Sequence, residues 1–584
     1  MSILAGAFRR ADDAPIPESL SKTLCSVISR NPGDERLVFR DDRVVLVKVD
    51  INAYKRRAFR VSPTGSVSMM VGEPILAAPG LTANTRDQDL AYLHASLDRG
   101  DLTPLQTVRG VFCAVHYRPS APMLTLIVDK LGIRSLFSFE SRQYVIFATS
   151  LRILEALSEV DRELDLRGLT ETVAFGYALG TRTAYRRIAR LKAAEVVQVT
   201  PATITRSQYW RWDKLAVSGQ PEAELLDEAY ARFRSAITCR LRDDRAVLAF
   251  LTGGLDSRCV TAVLRDLDVT VHSINFAPRG TQDQALGAAF AQAAGAIHEE
   301  FPGNYENDPF QWLESAVIAW GASPHRQGWP VDRPHMIWDG NGGSVGLGHV
   351  YVHPSVVALL RQGKRDEAIA EYLRLERLHV GERLLAPALG DSLRDVLAQG
   401  MREELDDIHA DAGRALHLFL MLNDQRCHMT PYLDNTDLHR LEDHLPFYDS
   451  HFLELILSAP IDLRLRHRFY TRWLQCFPSV VTSVPWQAYP THEPCPLPIP
   501  EGLSYQWRDD FLPYIRSLRR RQLLQQARKV LASPEFPHRI LNRTFLRAAW
   551  WAYRLGLRDT GHVLSAAHTY HRHWDLSRPA GRGV

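Results

Sequence analysis

The sequence predicts a two-domain α/β protein in which an antiparallel, β-rich half precedes a half built on a parallel sheet. In the first 200 residues, short β-branched and aromatic runs are separated by turn residues. Around 210–220 the pattern changes at two tryptophans and a polar Ser-Gly-Gln-Pro stretch. Beyond it, helical and strand patterns alternate, which is typical of a parallel sheet covered on both faces.

The β-rich half consists of predicted strands interrupted by helices. The predicted strands are Val44–Val49, Ser66–Val71, Gly110–Tyr117, Leu124–Asp129 and Tyr144–Ala148. The predicted helices are Pro17–Ser29 and Asp87–Leu97, the second with leucines at helical spacing. Strands with few helices between them favour an antiparallel, layered domain.

The second half alternates helix and strand before it becomes mostly helical from Pro354 onward. The predicted elements are Ala223–Arg240 (helix), Ala246–Leu251 (strand), Arg258–Arg265 (helix), Val269–Phe276 (strand), Asp283–Ala294 (helix) and His335–Trp338 (strand). We therefore predict domains at 1–208 and 223–500, a linker at 209–222 and a helical C-terminal extension at 501–584.

Composition limits the function classes. Of 584 residues, 45% are hydrophobic and 23% charged, and the net charge of +3 is too small for a general polyanion binder. Apolar stretches such as Ala285–Ala291 fall far short of a membrane span, and Ser2–Phe8 is too short for a secretory signal. The seven cysteines form no C-x-x-C pair. We expect a cytoplasmic protein with neither nucleic-acid nor membrane partners.

One loop carries the chemistry. It lies between the strand that ends at Leu251 and the next helix, and it reads Thr252-Gly253-Gly254-Leu255-Asp256-Ser257. Two glycines allow a sharp turn, the helix that follows offers the positive end of its dipole, and Asp256 is a hard ligand for Mg²⁺. No Gly-Lys-Ser/Thr follows, so this is not a Walker A loop.

Several ordered motifs resemble the asparagine synthetase superfamily. They are Leu131–Leu136, Val145–Ser150, the loop 252–257, Val271–Phe276 followed by Asp283, Asp339–Ser344, Leu445–Asp449 and Val484–Gln487. The resemblance runs from residue 1 to about 490. It implies an N-terminal class II glutamine amidotransferase fold, an αββα sandwich like that of N-terminal-nucleophile hydrolases. It also implies a C-terminal, doubly wound pyrophosphatase-type synthetase domain with helical additions.

The resemblance implies the site residues and the cofactors, which are ATP as a substrate and Mg²⁺. The implied ATP-binding residues are Leu251, Thr252, Gly253, Gly254, Asp256, Ser257, Phe276, Asp339 and Gly340. Asp256 and Asp339 are the implied metal ligands. Arg468, with Arg472 one helical turn on, stands where the family has a charge-neutralising lysine, and Glu442 matches a glutamate near the amine-activating base. For the arginines a solvated helix surface, and for Glu442 a structural ion pair, are the alternative interpretations.

The chain departs from the family at the positions that hydrolyse glutamine. Ser2 replaces the N-terminal cysteine, and Val71 replaces an asparagine that donates to the oxyanion. Asp87 is the candidate for the aspartate that holds the glutamine amine. Ser344 also stands where a second metal-binding aspartate is usual. This pattern resembles the branch with β-lactam synthetase, carbapenam synthetase and lasso-peptide macrocyclases, whose amidotransferase domain is inactive.

We therefore expect ATP-dependent amide-bond formation through an acyl-adenylate, without glutaminase activity. The substrates would be a small-molecule or peptide carboxylate and an amine, with a leader-binding or pathway protein as a possible partner. One alternative is asparagine formation from free ammonia or from glutamine. The other is a catalytically impaired ATP-binding partner protein, suggested by Ser344 and the missing lysine.

Overall fold

The structure is a computed structural model that describes residues 3–11, 14–55, 57–76, 85–301, 312–323, 326, 328–508 and 513–578. Its N-terminal domain contains two six-stranded antiparallel sheets, in the orders β10-β8-β9-β1-β3-β2 and β12-β11-β7-β6-β5-β4. The strands are β1 (Ile3–Arg9), β2 (Arg36–Arg40), β3 (Val44–Val49), β4 (Phe59–Val61), β5 (Val67–Gly72), β6 (Phe112–Arg118), β7 (Met123–Val128), β8 (Phe137–Glu140), β9 (Tyr144–Ala148), β10 (Ile188–Arg190), β11 (Glu195–Val199) and β12 (Ile204–Gln208).

Strand alternation assigns each sheet an inner and an outer face. In β1, Leu4 and Phe8 belong to the core between the sheets, while Ile3 and Ala5 belong to the outer core. Helices then cover both outer faces, which completes the predicted αββα sandwich. These helices are Glu18–Val27, Arg86–Asp98, Leu151–Glu155 and Leu166–Phe175.

The C-terminal domain is built on a five-stranded parallel sheet in the order β15-β14-β13-β16-β17. Its strands are β13 (Ala246–Phe250), β14 (Thr270–Asn275), β15 (Ile297–Glu300), β16 (Met336–Trp338) and β17 (Glu442–His444). The chain winds outward in one direction from β13 and then in the other from β16. The switch point therefore lies between these two strands, at whose carboxyl ends open α/β sheets bind ligands. The doubly wound prediction is confirmed.

Helices surround this sheet and extend beyond it. They are Glu222–Leu241, Asp256–Asp266, Gln282–Ala294, Trp312–Gly321, Gly343–Gly346, Pro354–Arg361, Arg365–Leu375, Pro387–Leu393, Val396–Asp406, Ala412–Leu420, Arg426–His428, Thr430–Asp434, Thr436–His439, Ser450–Ser458, Ile461–Arg464, Arg468–Trp473 and Val480–Ser483. Among the described residues, no helix combines the length and the apolar character needed to cross a membrane.

The C-terminal extension forms the helices Pro513–Ala532, Arg543–Arg554 and Gly561–Ser577. They pack on the N-terminal domain, where Leu564 and Ala567 join the outer core beneath the first sheet. The hydroxyls of Thr170 and Tyr570 lie 2.9 Å apart within this contact. The end of the chain therefore thickens the outer layer of the N-terminal sandwich.

Candidate functional site

A cleft of about 630 Å³ opens at the switch point of the parallel sheet. One wall is the loop 252–255, between β13 and the helix Asp256–Asp266, and the facing wall is the loop 339–342, which follows β16. The helix begins at the cleft, so the positive end of its dipole faces the space where an anion would bind. Of the predicted ATP-binding residues, those whose side chains or backbone line the cleft are Thr252, Gly254, Asp256, Ser257, Phe276, Asp339 and Gly340.

Glycine is required where these loops touch their neighbours. A Cβ atom on Gly253 would lie 2.6 Å from the carbonyl oxygen of Gln282, and one on Gly340 would lie 2.5 Å from the backbone nitrogen of Ser257. Both distances are well inside van der Waals contact. The loop 252–255 therefore packs directly on the start of the helix Gln282–Ala294, and the loop 339–342 packs on the start of the helix Asp256–Asp266. A side chain at either glycine would force one of these contacts apart.

Asp256 joins the two walls of the cleft. Its carboxylate accepts hydrogen bonds from the backbone N–H of Ser344 (3.0 Å), the hydroxyl of Ser344 (2.8 Å) and the phenol of Tyr470 (2.7 Å). Burial raises the pKa of Asp256, and the negative charge of Asp339 raises it further. Ser344, which replaces the family's aspartate, therefore serves as a donor to Asp256.

Two further carboxylates share the cleft. Asp339 accepts from the backbone N–H and the side-chain amide of Asn341, and burial raises the pKa of its carboxyl group. Asp283 accepts from the backbone N–H of Gly253, and burial raises its pKa to about 6. Neither lysine nor arginine is among the described residues that line the cleft. The site is thus negative and suited to binding a cation.

The donor set fits Mg²⁺ only when nucleotide is present. No group of three or more His, Cys, Asp or Glu side chains is placed to hold a metal within the described part of the chain. Mg²⁺, however, is commonly bound by one or two carboxylates together with substrate phosphates and water. Asp256 and Asp339 are carboxylates of this kind, since both lie in the cleft, burial raises the pKa of each, and its described lining contains neither lysine nor arginine.

One end of the cleft is apolar. Phe250, Ile274, Phe276 and Val317 line it, and the rings of Phe250 and Phe276 meet edge to face at 5.6 Å. An apolar, aromatic end is suited to a flat nucleobase. Leu251 lies outside the cleft because its side chain is fully buried in the core. Its carbonyl accepts from the side-chain amide of Asn275, so only its backbone supports the loop.

Arg258 is a positioning residue that sequence reasoning missed. Its side chain is fully buried one turn into the helix, where it donates to the carbonyls of Gly254, Val481, Val484 and Pro485. The backbone N–H of Gln487 in turn donates to Gly253. These bonds tie the loop 252–255, hereafter the phosphate loop, to the segment 481–487. In sequence, Arg258 is indistinguishable from a solvated arginine.

The structure does not bring Arg468 and Arg472 into the cleft. Both are about half-exposed and lie near the carboxylate of Glu222, at 3.6 and 2.5 Å. The neighbouring residues that line the cleft are His467, just before their helix, and Thr471 within it. Because successive helical residues are about 100° apart, positions 468 and 472 point away from it, toward the helix Glu222–Leu241. The positions of these arginines fit the alternative interpretation, a solvated helix surface.

Glu442 also lies outside the cleft. It is fully buried at the start of β17, and its carboxylate accepts from the guanidinium of Arg134 at 2.6 Å. Arg134 belongs to the N-terminal domain, so this pair joins the two domains. The positive charge of Arg134 helps to keep the pKa of Glu442 below its usual value. The structural ion pair, and not a base beside the substrate, is the interpretation that fits the geometry.

His467 is a second residue that sequence reasoning missed. Arg466 and His467 both adopt left-handed backbone conformations, with φ of 55° and 61°, which are strained for residues other than glycine. This kink brings Nε2 of His467 to 2.8 Å from the carbonyl oxygen of Ser344. Burial lowers the pKa of His467 to about 3, so the neutral ring donates this bond. The histidine thereby supports the wall that Asp256 holds from the other side.

The described candidates for the amidotransferase site, Val71 and Asp87, are not brought together. Ser2 lies outside the described residues. Val71 is buried in β5, and Asp87 is exposed on the surface of its helix. The adjacent Arg86 points inward instead, donates to the carbonyls of Gly72 and Met70 and lies 4.3 Å from the centre of the Tyr54 ring.

Buried charges fill this region. Asp50 accepts from Lys48 at 2.7 Å and from Arg86 at 3.3 Å, and Glu73 is paired with Arg242. Beside Val71 and Arg134 there is a cavity of only about 10 Å³, room for one water at most. Among the described residues, paired charged side chains therefore fill the interior beside Val71.

Two family models match the chain, in the order that the fold shows. The glutamine amidotransferase domain matches residues 80–210, and the asparagine synthase family matches residues 228–308. The first lies within the N-terminal domain, and the second contains the phosphate loop and the strands β13 and β14.

Curated relatives agree with this assignment over part of their length. "Asparagine synthetase [glutamine-hydrolyzing] 3" of Bacillus subtilis is 22% identical over 229 residues, which cover 38% of this chain and 34% of the relative. "Putative asparagine synthetase [glutamine-hydrolyzing]" of Mycobacterium bovis is 26% identical over 204 residues, 33% of this chain and 31% of the relative. "Amidase chyE" of Penicillium rubens is 25% identical over 170 residues, which cover 28% of this chain and 25% of the relative. The chain thus matches about a third or less of each relative.

Solved structures give only weak similarity. The allosteric regulatory enzyme of purine biosynthesis covers 51% of this chain and 80% of its own, at 9% identity and a TM-score of 0.25. Glutamine phosphoribosylpyrophosphate amidotransferase of B. subtilis covers 59% of this chain and 76% of its own chain, at 9% identity and a TM-score of 0.24. At these low scores, the two structures support no conclusion about this chain. The two family matches and the curated relatives make this chain similar to asparagine synthetases over an amidotransferase-like part and over a segment that contains β13 and β14.

Proposed function

We propose that this protein is an ATP-dependent ligase that forms an amide bond through an acyl-adenylate. The observation that carries the proposal is the cleft at the switch point, where the two glycine-rich loops, the acidic side chains and an apolar end meet. A carboxylate oxygen of the substrate attacks the α-phosphorus of ATP, and pyrophosphate leaves. An amine then attacks the acyl carbon, AMP leaves with the bonding electron pair, and the amine loses a proton.

The chain's own groups explain how ATP would be held. The hydroxyls of Thr252 and Ser257 and the start of the helix Asp256–Asp266 face the phosphate site. Phe250 and Phe276 offer an apolar wall to the base. Asp256 and Asp339 would hold Mg²⁺, which when bound neutralises negative charge on the phosphates. Because Arg468 points toward Glu222, no arginine at that position supplements this charge.

We further propose that the N-terminal domain does not hydrolyse glutamine. Val71 has no group that could donate a hydrogen bond to an oxyanion. Arg86, Lys48 and Asp50 occupy the neighbouring interior as a buried, paired cluster. The amine would then come from a substrate or from free ammonia, as in the family branch that the departures of this sequence resemble.

The nucleotide products test the proposal. The protein is incubated with Mg–ATP, a panel of carboxylates that includes aspartate, and ammonium or primary amines, and the products are separated by chromatography. AMP and pyrophosphate in equal amounts are the expected result. ADP with orthophosphate would overturn the proposal, because it would place the cleaved bond at the γ-phosphate.

Two other functions have specific support. The names of the curated relatives favour asparagine synthesis, and aspartate-dependent release of AMP and pyrophosphate would identify it. The placement of Arg468 and Arg472 outside the cleft favours an ATP-binding protein without catalysis. Binding of Mg–ATP without pyrophosphate release from any tested carboxylate would support that function.

A further inference from the structure

The solvent-exposed part of the cleft lining, which we call its mouth, has a chemistry of its own. Tyr489, Glu493, Gln506 and Trp507 line the cleft there, and the side chains of Glu493 and Trp507 are exposed. The rings of Tyr489 and Trp507 lie 5.4 Å apart at an angle of 49°. Trp507 is 47% exposed, an unusual exposure for a large aromatic side chain. An open aromatic surface at the entrance to a cleft is available to a ligand.

A carboxylate stands beside these rings without a partner. The backbone N–H of Glu493 donates to the carbonyl of Arg466 at 3.0 Å, which fixes this segment against the cleft. The side chain is exposed, and among the described residues its carboxylate has neither a hydrogen-bond nor an ion-pair partner. A partnerless carboxylate next to exposed aromatic faces is the arrangement that attracts an organic cation.

The charge of the whole cleft points the same way. Its described lining contains the acidic residues Asp256, Asp283, Asp339 and Glu493, and neither lysine nor arginine. Arg508 is the neighbour of Trp507 in sequence, yet it does not line the cleft. A ligand group with a second negative charge would meet four acidic side chains and neither lysine nor arginine among the described lining residues. A positively charged group would be attracted at the mouth.

We propose that Tyr489, Glu493 and Trp507 form a subsite for a protonated amino group on a substrate of the ligase. The aromatic faces and the carboxylate bind an ammonium together, and Gln506 supplies a neutral polar edge. The inference deepens the proposed function and rests on it. Apart from the carboxyl group that reacts, the preferred substrate would carry cationic or neutral groups, which disfavours a dicarboxylate such as aspartate.

Three probes of similar shape test the subsite. Benzylammonium, benzyl alcohol and benzoate are titrated by calorimetry into the protein with Mg²⁺ and α,β-methylene-ATP, and aspartate is added as a fourth ligand. We expect benzylammonium to bind about 5- to 10-fold more tightly than benzyl alcohol, as a partly exposed cation–π contact and ion pair would together give. Benzoate and aspartate should bind more weakly than both.

Matched variants assign the effect to named residues. Glu493→Gln should remove the preference for benzylammonium over benzyl alcohol, and Trp507→Leu should weaken both ligands. Glu501→Gln, an exposed acidic position outside the cleft lining, should change neither. The proposal is overturned if benzoate or aspartate binds as tightly as benzylammonium, if no probe binds, or if the preference survives in Glu493→Gln.

The same titration separates the subsite from the proposed function. Binding of Mg²⁺ with α,β-methylene-ATP is measured before any probe is added. If the nucleotide fails to bind, the assignment of the cleft to ATP fails as well. If the nucleotide binds and the probes behave alike, only the ammonium subsite is wrong.

Discussion

Two regions of the molecule, the interior of the N-terminal domain and the cleft, contain charged side chains in opposite arrangements. In the N-terminal domain and at its border, buried charges are paired across short distances, as in Lys48–Asp50 at 2.7 Å and Arg134–Glu442 at 2.6 Å. In the cleft, Asp256, Asp283 and Asp339 have no lysine or arginine among the described lining residues. The cavities differ accordingly, about 10 Å³ against about 630 Å³.

This difference separates structural from functional charge. The two charges of a buried pair neutralise each other. The pair therefore holds elements in place and leaves no net charge for a ligand to neutralise. Buried carboxylates without a cation are costly unless something binds them, and such groups cluster at functional sites. The two regions therefore differ in what they offer a ligand: the described part of the first is packed, and the second is an open cleft.

The largest expected effect comes from breaking a pair in the packed region. Arg134→Met removes the guanidinium that is paired with the buried carboxylate of Glu442, and we expect a loss of about 3–5 kcal/mol in the free energy of unfolding, measured in urea. Arg142→Met, at an exposed position, is the control and should change little. The double variant Arg134→Met/Glu442→Leu should regain much of the loss. A loss below about 1 kcal/mol in the single variant would contradict a structural role for the pair.

In the cleft the corresponding change should affect turnover more than folding. Asp256→Asn keeps the size of the side chain and removes its charge, and we expect pyrophosphate release to fall by about 10²–10³-fold. Asp268→Asn, exposed at the other end of the same helical segment, should leave the rate unchanged. A normal rate in Asp256→Asn, with an unchanged circular dichroism spectrum, would show that the metal binds elsewhere.

The sequence predicted the elements and the loop because both depend on local chemistry. β3 and β9 have the predicted bounds, and the phosphate loop lies between the predicted strand and helix. The structure adds that Asp256 accepts hydrogen bonds from Ser344 and Tyr470. These partners are distant in sequence, and local spacing does not reveal them.

The missed site residues share this origin. Arg468 has the spacing and charge of the family's lysine, yet the left-handed backbone at Arg466 and His467 sets the direction of its helix and turns the arginine toward Glu222. A residue pattern does not encode such a kink. Arg258 and Arg86 were missed for a related reason, since burial of an arginine depends on carbonyls that other segments provide.

A smaller effect should follow from the pKa of Asp283. Burial raises this pKa to about 6, whereas an unfolded chain releases the same proton near pH 4. Between these values the folded protein holds a proton that the unfolded chain has lost, so this group's contribution to stability declines as pH rises from about 4 to about 6.

Asp283→Asn removes this titration. We expect its Tm, relative to that of the wild-type protein, to rise by a few degrees between pH 4 and pH 6.5 and then to level off. Asp268→Asn again serves as the control, and its difference from wild type should stay constant across the same range. Parallel curves for Asp283→Asn and wild type would mean that the carboxylate is not desolvated in the cleft.

The last prediction is that no glutamine is hydrolysed, and it tests the packed region directly. With glutamine and ATP, glutamate release should not exceed the blank, and Ser2→Ala should not change it. "Asparagine synthetase [glutamine-hydrolyzing] 3" of B. subtilis is a suitable positive control. Ser2-dependent glutamate production would contradict the comparison between the two regions, because it would require a working amidotransferase site beside the buried ion pairs.

A second variant distinguishes a site that is only occluded from a site that also lacks the groups needed to hydrolyse glutamine. Arg86→Ala removes the guanidinium that donates to Gly72 and Met70, so space is created beside Asp50. If occlusion alone silenced the domain, this variant would release glutamate. We expect it to remain silent, because Val71 still provides no donor for the tetrahedral oxyanion, and stabilisation of that charge is commonly the largest single contribution to such a reaction.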